Sequence, residues 1–241
     1  MDGNMKAVIL AGGKGARLAP YTKILPKPLM PIDDMPILEV LLRQLKYANV
    51  NDIVITVGHL AALLRTYFLD GREFGLNITY SYEDQPLGTA GPLALVENLT
   101  ETFFVMNGDI LTTLNFLDLL KFHKSQSAIA TIAAHRRTVK IDLGVLQHDE
   151  NSFELKGYIE KPSYDYIVSM GIYIFEPDVL RYIQKNQYLD FPDLVLKMIK
   201  SGEKVVHFPY EGYWKDLGHP DDYEQATQDF VKMRDQFLKE D

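Results

Sequence analysis

The sequence predicts an α/β fold in which a mixed, mostly parallel central sheet is flanked by helices. In the first half of the chain, apolar runs of strand length alternate with amphipathic runs of helix length, which is the pattern of βαβ units. Of the 241 residues, 46% are hydrophobic, which is enough to build a sizeable core. A segment rich in glycine and basic residues directly follows the first apolar run, and this combination suits close approach of the backbone to a phosphate.

The strands of the first half are predicted from the apolar runs "KAVILA", "DIVITVG", "NITYSY" and "TFFVMNG", at 6–11, 52–58, 77–82 and 102–108. The helices between them are predicted at 37–48, 60–68 and 89–99. In "ILEVLLRQLKYA", the first of these helices, apolar residues recur every three or four positions, as on one face of a helix.

The pattern changes after residue 116, where strand-like runs follow one another with few helices between them. These strands are predicted at 127–135, 143–149, 153–161 and 170–176, and the helices after them at 188–202 and 220–237. Consecutive strands without crossover helices favour antiparallel additions to the sheet. The basic stretch "HRRTVK" (135–140) is predicted as a surface loop, with a phosphate-facing role as the alternative.

No linker, charge block or internal repeat divides the chain. We therefore expect one domain over 5–238, with a nucleotide-type half at about 5–115 and a substrate-type half at about 116–238.

Composition excludes several classes of function. A net charge of −8 argues against a nucleic-acid partner or an anionic membrane surface, so any anion site must be local. The absence of cysteine excludes disulfides, thiolate metal sites and cysteine nucleophiles. No apolar run reaches membrane-spanning length and no secretory signal pattern precedes "KAVIL", so the expected location is cytoplasmic.

Residues 10–28, "LAGGKGARLAPYTKILPKP", match neither common phosphate loop. A Walker A loop requires Lys-Ser or Lys-Thr after its last glycine, whereas Arg17 and Leu18 follow "GA" here. The dinucleotide fingerprint requires a third glycine at the position that Leu18 occupies. A turn with incidental glycines would leave Arg17 and Lys27 unexplained.

The segment resembles the signature of sugar-1-phosphate nucleotidyltransferases, L-A-G-G-x-G-T-R-L-x-P-x-T-x-x-x-P-K-P, with Ala16 where the family usually has threonine. Four later motifs are similar to the family's in the same order: "QPLGTAGPL", "NGD", "EKP" and "WKDLG". The first of them has the form found in GDP-mannose pyrophosphorylases.

The resemblance implies a Rossmann-like, glycosyltransferase-A-like fold and a reaction in which a nucleoside triphosphate (NTP) and a sugar-1-phosphate give an NDP-sugar and pyrophosphate. The implied catalytic residues are Arg17, Lys27, Asp109 and Lys161. The implied nucleotide-binding residues are Leu10, Ala11, Gly12, Gly13, Gly15, Arg17, Glu83, Gly88 and Thr89. The implied sugar-phosphate residues are Gly144, Glu160 and Lys161. Asp109 and Asp216 are the implied ligands of Mg²⁺, which takes few protein ligands alongside phosphate oxygens and water.

The sequence leaves alternatives for the base of the NTP, the sugar of the acceptor and the oligomeric state. Guanine presents adjacent N–H donors that a carboxylate such as Glu83 or Asp84 can accept, which favours GTP, whereas an amide such as Gln85 suits uracil. UTP and CTP therefore stay as alternatives. The expected sugar is mannose-1-phosphate or a manno-heptose-1-phosphate, and a homo-oligomer is allowed.

Two other classes of function compete with the enzyme. A non-catalytic regulatory subunit would not need all the charged positions that are present here. A glycosyltransferase on a related fold would carry a D-x-D metal motif, and "NGD" is not one.

Overall fold

The computed structural model describes residues 5–13, 15–149 and 152–238. The strands are β1 (Lys6–Leu10), β2 (Pro31–Ile32), β3 (Met35–Pro36), β4 (Asp52–Val57), β5 (Asn77–Tyr82), β6 (Phe103–Asn107), β7 (Ile110–Thr112), β8 (Ala130–Lys140), β9 (Val145–His148), β10 (Leu155–Ile159), β11 (Ser163–Phe175), β12 (Val205–Tyr210) and β13 (Trp214–Asp216). The helices are α1 (Ile37–Tyr47), α2 (Ala61–Phe68), α3 (Phe116–Gln126), α4 (Phe191–Lys200), α5 (Pro220–Lys232) and α6 (Arg234–Phe237). None of the helices in these ranges is long and apolar enough to cross a bilayer.

Seven strands form the central sheet in the order β12-β8-β11-β6-β1-β4-β5. Only β11 runs antiparallel to its neighbours, and the other adjacent pairs are parallel. The prediction of a mixed, mostly parallel sheet flanked by helices is confirmed. Both halves of the chain supply strands to this one sheet.

The chain reverses its direction across the sheet at β1. From β1 it proceeds outward to β4 and β5, and then returns to place β6 on the other side of β1. Leu10 at the end of β1 pairs with Asn107 at the end of β6. Ligands of open α/β sheets bind at the carboxyl ends of strands where the order reverses, so this edge is the expected position of a site.

The sheet is buried on both faces, which explains why its central strands are continuous apolar runs. Along β1, Ala7 and Ile9 pack with α1, α2 and α3, while Val8 packs on the opposite face against α4 and the segment around Leu93. Alternate residues of a strand point to opposite faces, so each strand supplies both cores.

A third buried cluster joins the segment after the glycine-rich loop to the C-terminal helices. It includes Leu18, Ile32, Leu217 and Phe230, all at most 2% exposed. Leu18 and Leu217 are the chain neighbours of Arg17 and Asp216. Their burial fixes the backbone from which those two charged side chains project.

Two helix predictions are wrong in part. The predicted helix at 89–99 is only a short 3₁₀ turn, Gly91–Leu95, because Gly91 and Pro92 disfavour a longer helix there. Gly91 also packs closely on the backbone before α4: a Cβ built on it would lie 2.8 Å from the carbonyl oxygen of Gln187. The predicted helix at 220–237 is interrupted at Met233 and forms α5 and α6.

The predicted loop at 135–140 is a strand, because β8 continues to Lys140 and pairs with β11 as far as Ser163. β12 pairs only with 130–135 of β8. Residues 135–140 and 163–168 thus form a two-stranded ribbon beyond the main sheet. β9 and β10 pair with each other as a hairpin between the two strands of the ribbon. The sequence analysis also missed the edge strand β12, whose Pro209 is tolerated at an edge.

Candidate active site

A cavity of 850 Å³ opens at the carboxyl ends of β1 and β6, where the strand order reverses. All the residues predicted for the nucleotide and the metal line it. They are Leu10, Ala11, Gly12, Gly13, Gly15, Arg17, Lys27, Glu83, Gly88, Thr89, Asp109 and Asp216.

Two carboxylates and one ammonium group meet at one end of this cavity. Lys27 Nζ donates a short hydrogen bond to Asp109 Oδ2 and lies 3.5 Å from Asp216 Oδ1. Pairing of β7 with β13 sets Ile110 opposite Asp216, and the Leu217 N–H donates to the Asp109 carbonyl at 3.1 Å. The sheet register therefore brings together two aspartates that lie far apart in the sequence.

Burial raises the pKa of Asp109, and the negative charge of Asp216 adds to this effect, while Lys27 opposes it. The Lys27 ammonium thus favours the charged form of Asp109, against burial and the charge of Asp216. The Lys27 ammonium already lies where both carboxylates converge, so the pair is arranged to face one cation. Across 5–13, 15–149 and 152–238 no group of three or more His, Asp or Glu is arranged to hold a metal, and the acidic groups beside Lys27 are Asp109 and Asp216. Mg²⁺ fits that donor set.

Arg17 approaches the same end of the cavity. Its Nη1 lies 3.5 Å from His219 Nε2, and its side chain is exposed. A Cβ built on Gly218 would lie 3.2 Å from Asp216 Oδ1 and 3.5 Å from Arg17 Nη1. A side chain at this position would crowd the Asp216 carboxylate and would contact Arg17 at an ordinary van der Waals distance.

The glycine-rich loop is shaped by two close contacts. A Cβ on Gly12 would overlap Glu83 Oε1, so a larger residue here would require that carboxylate to move. Gly15 has φ +60°, and its carbonyl accepts a 2.8 Å hydrogen bond from the Thr22 hydroxyl. Ala16 is exposed in the 3₁₀ turn that follows. Thr22 thus holds the loop beside the position where the family usually has threonine.

Glu83 is half-buried between the glycine-rich loop and the end of β4. Its Oε2 accepts the Leu87 N–H at 3.1 Å, while Oε1 lies against Gly12. Asp84 and Gln85 are exposed and also line the cavity. Acidic and amide groups therefore both border the part of the cavity predicted for the base.

Sequence reasoning missed Tyr188 and Asp190 as cavity residues. Asp190 Oδ1 accepts the Thr89 N–H at 2.9 Å and the Thr89 hydroxyl at 3.1 Å, and Tyr188 donates to Oδ2 at 2.7 Å. These hydrogen bonds hold the pKa of Asp190 below its usual range, and the one from Tyr188 has the largest effect. In the sequence, an aspartate just before "FPDL" indicates only the start of a helix.

Gly144, Glu160 and Lys161, the residues predicted for the sugar phosphate, are not among the residues that line the cavity. A Cβ on Gly144 would overlap the Tyr158 hydroxyl across the β9–β10 hairpin. Glu160 and Lys161 lie exposed in the turn between β10 and β11, where Lys161 has φ +45°. Their roles stay predictions.

A sequence profile of the Nucleotidyl transferase family matches residues 6–233, which contain every element of this cavity. The chain belongs to the nucleotidyl transferase family. The resemblance noted in the sequence is thereby confirmed.

Two relatives of this nucleotidyl transferase differ in base and sugar. The chain is 37% identical over 244 residues to UTP–glucose-1-phosphate uridylyltransferase of Synechocystis sp., covering 92% of this chain and 62% of that protein. It is 35% identical over 235 residues to mannose-1-phosphate guanyltransferase of Yarrowia lipolytica, covering 92% and 63%. The chain thus spans somewhat less than two thirds of the length of these relatives.

A solved structure from Bacillus anthracis, assigned as a glucose-1-phosphate thymidylyltransferase and containing sucrose, superposes with a TM-score of 0.76. It is 26% identical, and the match covers 97% of this chain and 98% of that one. The architecture is therefore shared over almost the whole chain.

Proposed function

We propose that this chain transfers a nucleoside monophosphate from an NTP to a sugar-1-phosphate, giving an NDP-sugar and pyrophosphate. The single observation that carries the proposal is the geometry of the cavity. Arg17, Lys27, Asp109 and Asp216 meet at one end of it, and the acidic and amide residues 83–85 border another part. A triphosphate requires cationic groups at one end and polar groups for the base at the other.

In this reaction a phosphate oxygen of the sugar-1-phosphate attacks the α-phosphorus of the NTP, and the bond from that phosphorus to the bridging oxygen of pyrophosphate breaks. The electron pair and the charge leave with pyrophosphate, so the protein needs no nucleophile. It needs alignment and neutralisation of charge. Arg17 can donate two hydrogen bonds to the β- and γ-phosphates, and Lys27 places a point charge beside them.

Asp109 and Asp216 are the residues that would hold Mg²⁺, which when bound would neutralise charge on the phosphate oxygens. Lys27 would also favour the charged form of the partly buried Asp109, because its ammonium opposes the effect of burial on that carboxyl. The same lysine can turn toward a bound triphosphate, since it lies at the wall of the cavity.

For the acceptor we propose mannose-1-phosphate or a manno-heptose-1-phosphate. Lys161 would pair with its phosphate, Glu160 would accept hydrogen bonds from sugar hydroxyls, and Gly144 would allow the sugar to approach the backbone. The support for these three roles is the match of "LG" and "EKP" to the family motifs.

For the base we propose guanine. Glu83 Oε1 and the second lone pair of Oε2 can accept the adjacent N1–H and N2–H₂ donors of guanine, and Asp84 offers a second carboxylate. The mannose-1-phosphate guanyltransferase relative supports this choice. A uridylyl transfer is the alternative, because the Synechocystis relative is named for UTP and Gln85 borders the same cavity.

Pyrophosphate release from four NTPs, each paired with mannose-1-phosphate, a manno-heptose-1-phosphate and glucose-1-phosphate, tests the proposal. The Asp109→Asn protein, purified in parallel, serves as the blank for contaminating activity. We expect the highest kcat/KM with GTP and a manno-configured acceptor. If no combination of NTP and sugar-1-phosphate releases more pyrophosphate than the Asp109→Asn blank, a non-catalytic subunit would be favoured. A preference for UTP and glucose-1-phosphate would overturn the choice of substrates.

A further inference from the structure

Asp190 stands at the N-cap of α4 but does not cap that helix. An aspartate in this position ordinarily accepts a hydrogen bond from an N–H in the first turn of its own helix. Here the carboxylate makes no such bond. It is directed instead across the chain to Thr89, which lies 101 residues earlier. A departure from the local rule of this kind requires an explanation in the tertiary structure.

The contact between the two segments is dense and reciprocal. Asp190 Oδ1 accepts both the N–H and the hydroxyl of Thr89, and the Thr89 oxygen accepts the Phe191 N–H at 2.9 Å. On either side, the Leu189 N–H donates to the Leu87 carbonyl at 2.9 Å, and the Leu189 carbonyl accepts from Ala90 at 2.9 Å. Thr89 therefore takes the place of a side-chain cap for α4, and Asp190 holds Thr89.

Gly88 shows how closely the segments are pressed together. It has φ +80°, and a Cβ built on it would lie 2.6 Å from the Leu189 carbonyl oxygen and 2.8 Å from Asp190 Oδ1. Both Gly88 and Asp190 line the 850 Å³ cavity, as does Tyr188, whose ring is 64% exposed. The hydrogen bonds between Asp190 and Thr89, called the clamp below, are thus part of the wall that a bound nucleotide would face.

We propose that Asp190 is a positioning residue for nucleotide binding, which acts through Thr89 to fix the base-side loop (residues 85–89). This inference rests on the proposed function, because it assigns the loop to the NTP. A loop that must be ordered when its ligand binds lowers the affinity, whereas a loop that is already fixed does not incur that cost. Loss of the clamp should therefore weaken the NTP and spare the sugar-1-phosphate.

The test combines isothermal titration calorimetry with GTP and UTP in the presence of Mg²⁺ and steady-state kinetics. Asp190→Ala removes the clamp, Thr89→Val removes only the hydroxyl bonds, and Thr89→Ser retains the hydroxyl. Asp193→Ala is the matched control, since Asp193 is an exposed carboxylate on the same helix that does not line the cavity.

We expect Asp190→Ala to raise the NTP Kd and KM about tenfold, because residues 85–89 would then have to be ordered when the NTP binds. The kcat and the KM for sugar-1-phosphate should stay within about threefold, Asp193→Ala should resemble the wild type, and Thr89→Ser should bind the NTP more tightly than Thr89→Val does. The double variant Asp190→Ala/Thr89→Val should lose less NTP affinity than the sum of the two single losses, because both changes remove the bond between the Thr89 hydroxyl and Asp190.

A fall in Tm for Asp190→Ala with unchanged NTP affinity would make the residue structural and overturn the inference. Additive losses in the double variant would mean that Asp190 does not act through Thr89, which also overturns it. A wild-type protein that binds NTP but forms no product would refute the proposed function alone, because calorimetry still measures the clamp. A wild type that binds no NTP would refute both.

Discussion

The residues predicted for the nucleotide and those predicted for the sugar phosphate lie in contrasting surroundings. The former follow strands that are buried on both faces; in β1, for instance, Ala7, Val8 and Ile9 are fully buried. The latter lie on or beside the β9–β10 hairpin, where Leu155 and Tyr158 are about three fifths exposed, at 60% and 62%. A loop that connects buried strands is fixed by the core, whereas a hairpin outside the sheet is fixed mainly by its own pairing.

This difference explains why the family motifs can be recognised in both regions, although only the residues predicted for the nucleotide line the cavity. Lys27 donates to Asp109, which follows β6, and the Gly108 N–H beside it donates to the Leu10 carbonyl at the end of β1. Glu160 and Lys161 follow a strand whose only partner among the described residues is β9. The predictions below test whether the two regions form one site.

The largest expected effect tests the buried region. Asp109→Asn keeps the shape of the side chain but removes the charge that faces Lys27 and Asp216, so the stabilisation of developing phosphate charge is lost. We expect kcat to fall about 10³-fold or more at saturating Mg²⁺. Asp118→Asn, which alters an exposed carboxylate on α3, is the matched control. Activity within about tenfold of the wild type would remove Asp109 from the mechanism.

The next prediction asks directly whether the exposed hairpin belongs to the site. Lys27→Ala should mainly raise the KM for the NTP, and Lys161→Ala should mainly raise the KM for sugar-1-phosphate, each by roughly 10–150-fold for a lost charged hydrogen bond. Initial rates measured against each substrate separate the two effects, with Lys156→Ala on the same hairpin as the control. An unchanged KM for sugar-1-phosphate in Lys161→Ala would show that this side of the site is built from other residues.

A third prediction sharpens the assignment of the base within the buried region. In Glu83→Gln, the amide oxygen is held by the Leu87 N–H, so the NH₂ takes the position of Oε1. A donor facing the donors of guanine costs about 1–3 kcal/mol, so the kcat/KM ratio of GTP to UTP should fall about tenfold.

Asp84→Asn belongs in the same measurement, because Asp84 is the second carboxylate at this part of the cavity. If neither variant shifts the GTP/UTP ratio by more than about threefold, the base is read by other groups.

The smallest expected effect concerns a buried histidine where β8 begins and β11 ends. His123 is 1% exposed below β8 and β11; its Nδ1 lies 2.7 Å from Thr131 Oγ1 and its Nε2 lies 3.0 Å from Glu176 Oε1. Burial lowers the pKa of His123, although Glu176 opposes the shift. The folded state thus disfavours the protonated ring, and this contribution to stability is present above about pH 6.5, the usual histidine pKa, and is lost as the pH falls below it.

We therefore expect the wild type to lose stability as the pH falls from 7 toward 5.5, by at most about 1.4 kcal/mol per pH unit from this residue. His123→Gln should be less stable at pH 7 but should show a shallower dependence of Tm on pH. Parallel slopes for the two proteins would mean that His123 does not titrate in this range.

Much of the buried region was predictable, because its signals are local. Continuous apolar runs indicated β1, β4 and β6, and the glycine-rich segment was recognised directly after the run of β1. The helix predicted at 89–99 was wrong, because a helical pattern was favoured over the breaks at Gly91 and Pro92. The loop predicted at 135–140 was wrong, because an exposed strand has no apolar alternation to mark it. Asp190 was missed because it lay inside the predicted helix at 188–202, whereas α4 begins at Phe191 and the partner of Asp190 lies in another segment.

The sequence by itself determined the class of fold, the family and the types of residue at the phosphate end of the cavity, since periodicity and motif spacing are written in adjacent residues. Only the tertiary structure decided which of those residues meet. It placed Lys27 between two aspartates 107 positions apart through the pairing of β7 with β13, and it turned Asp190 from its own helix to Thr89. The physical reason is that a hydrogen bond or an ion pair depends on distances of about 3 Å, which are fixed by strand order and core packing and not by separation along the chain.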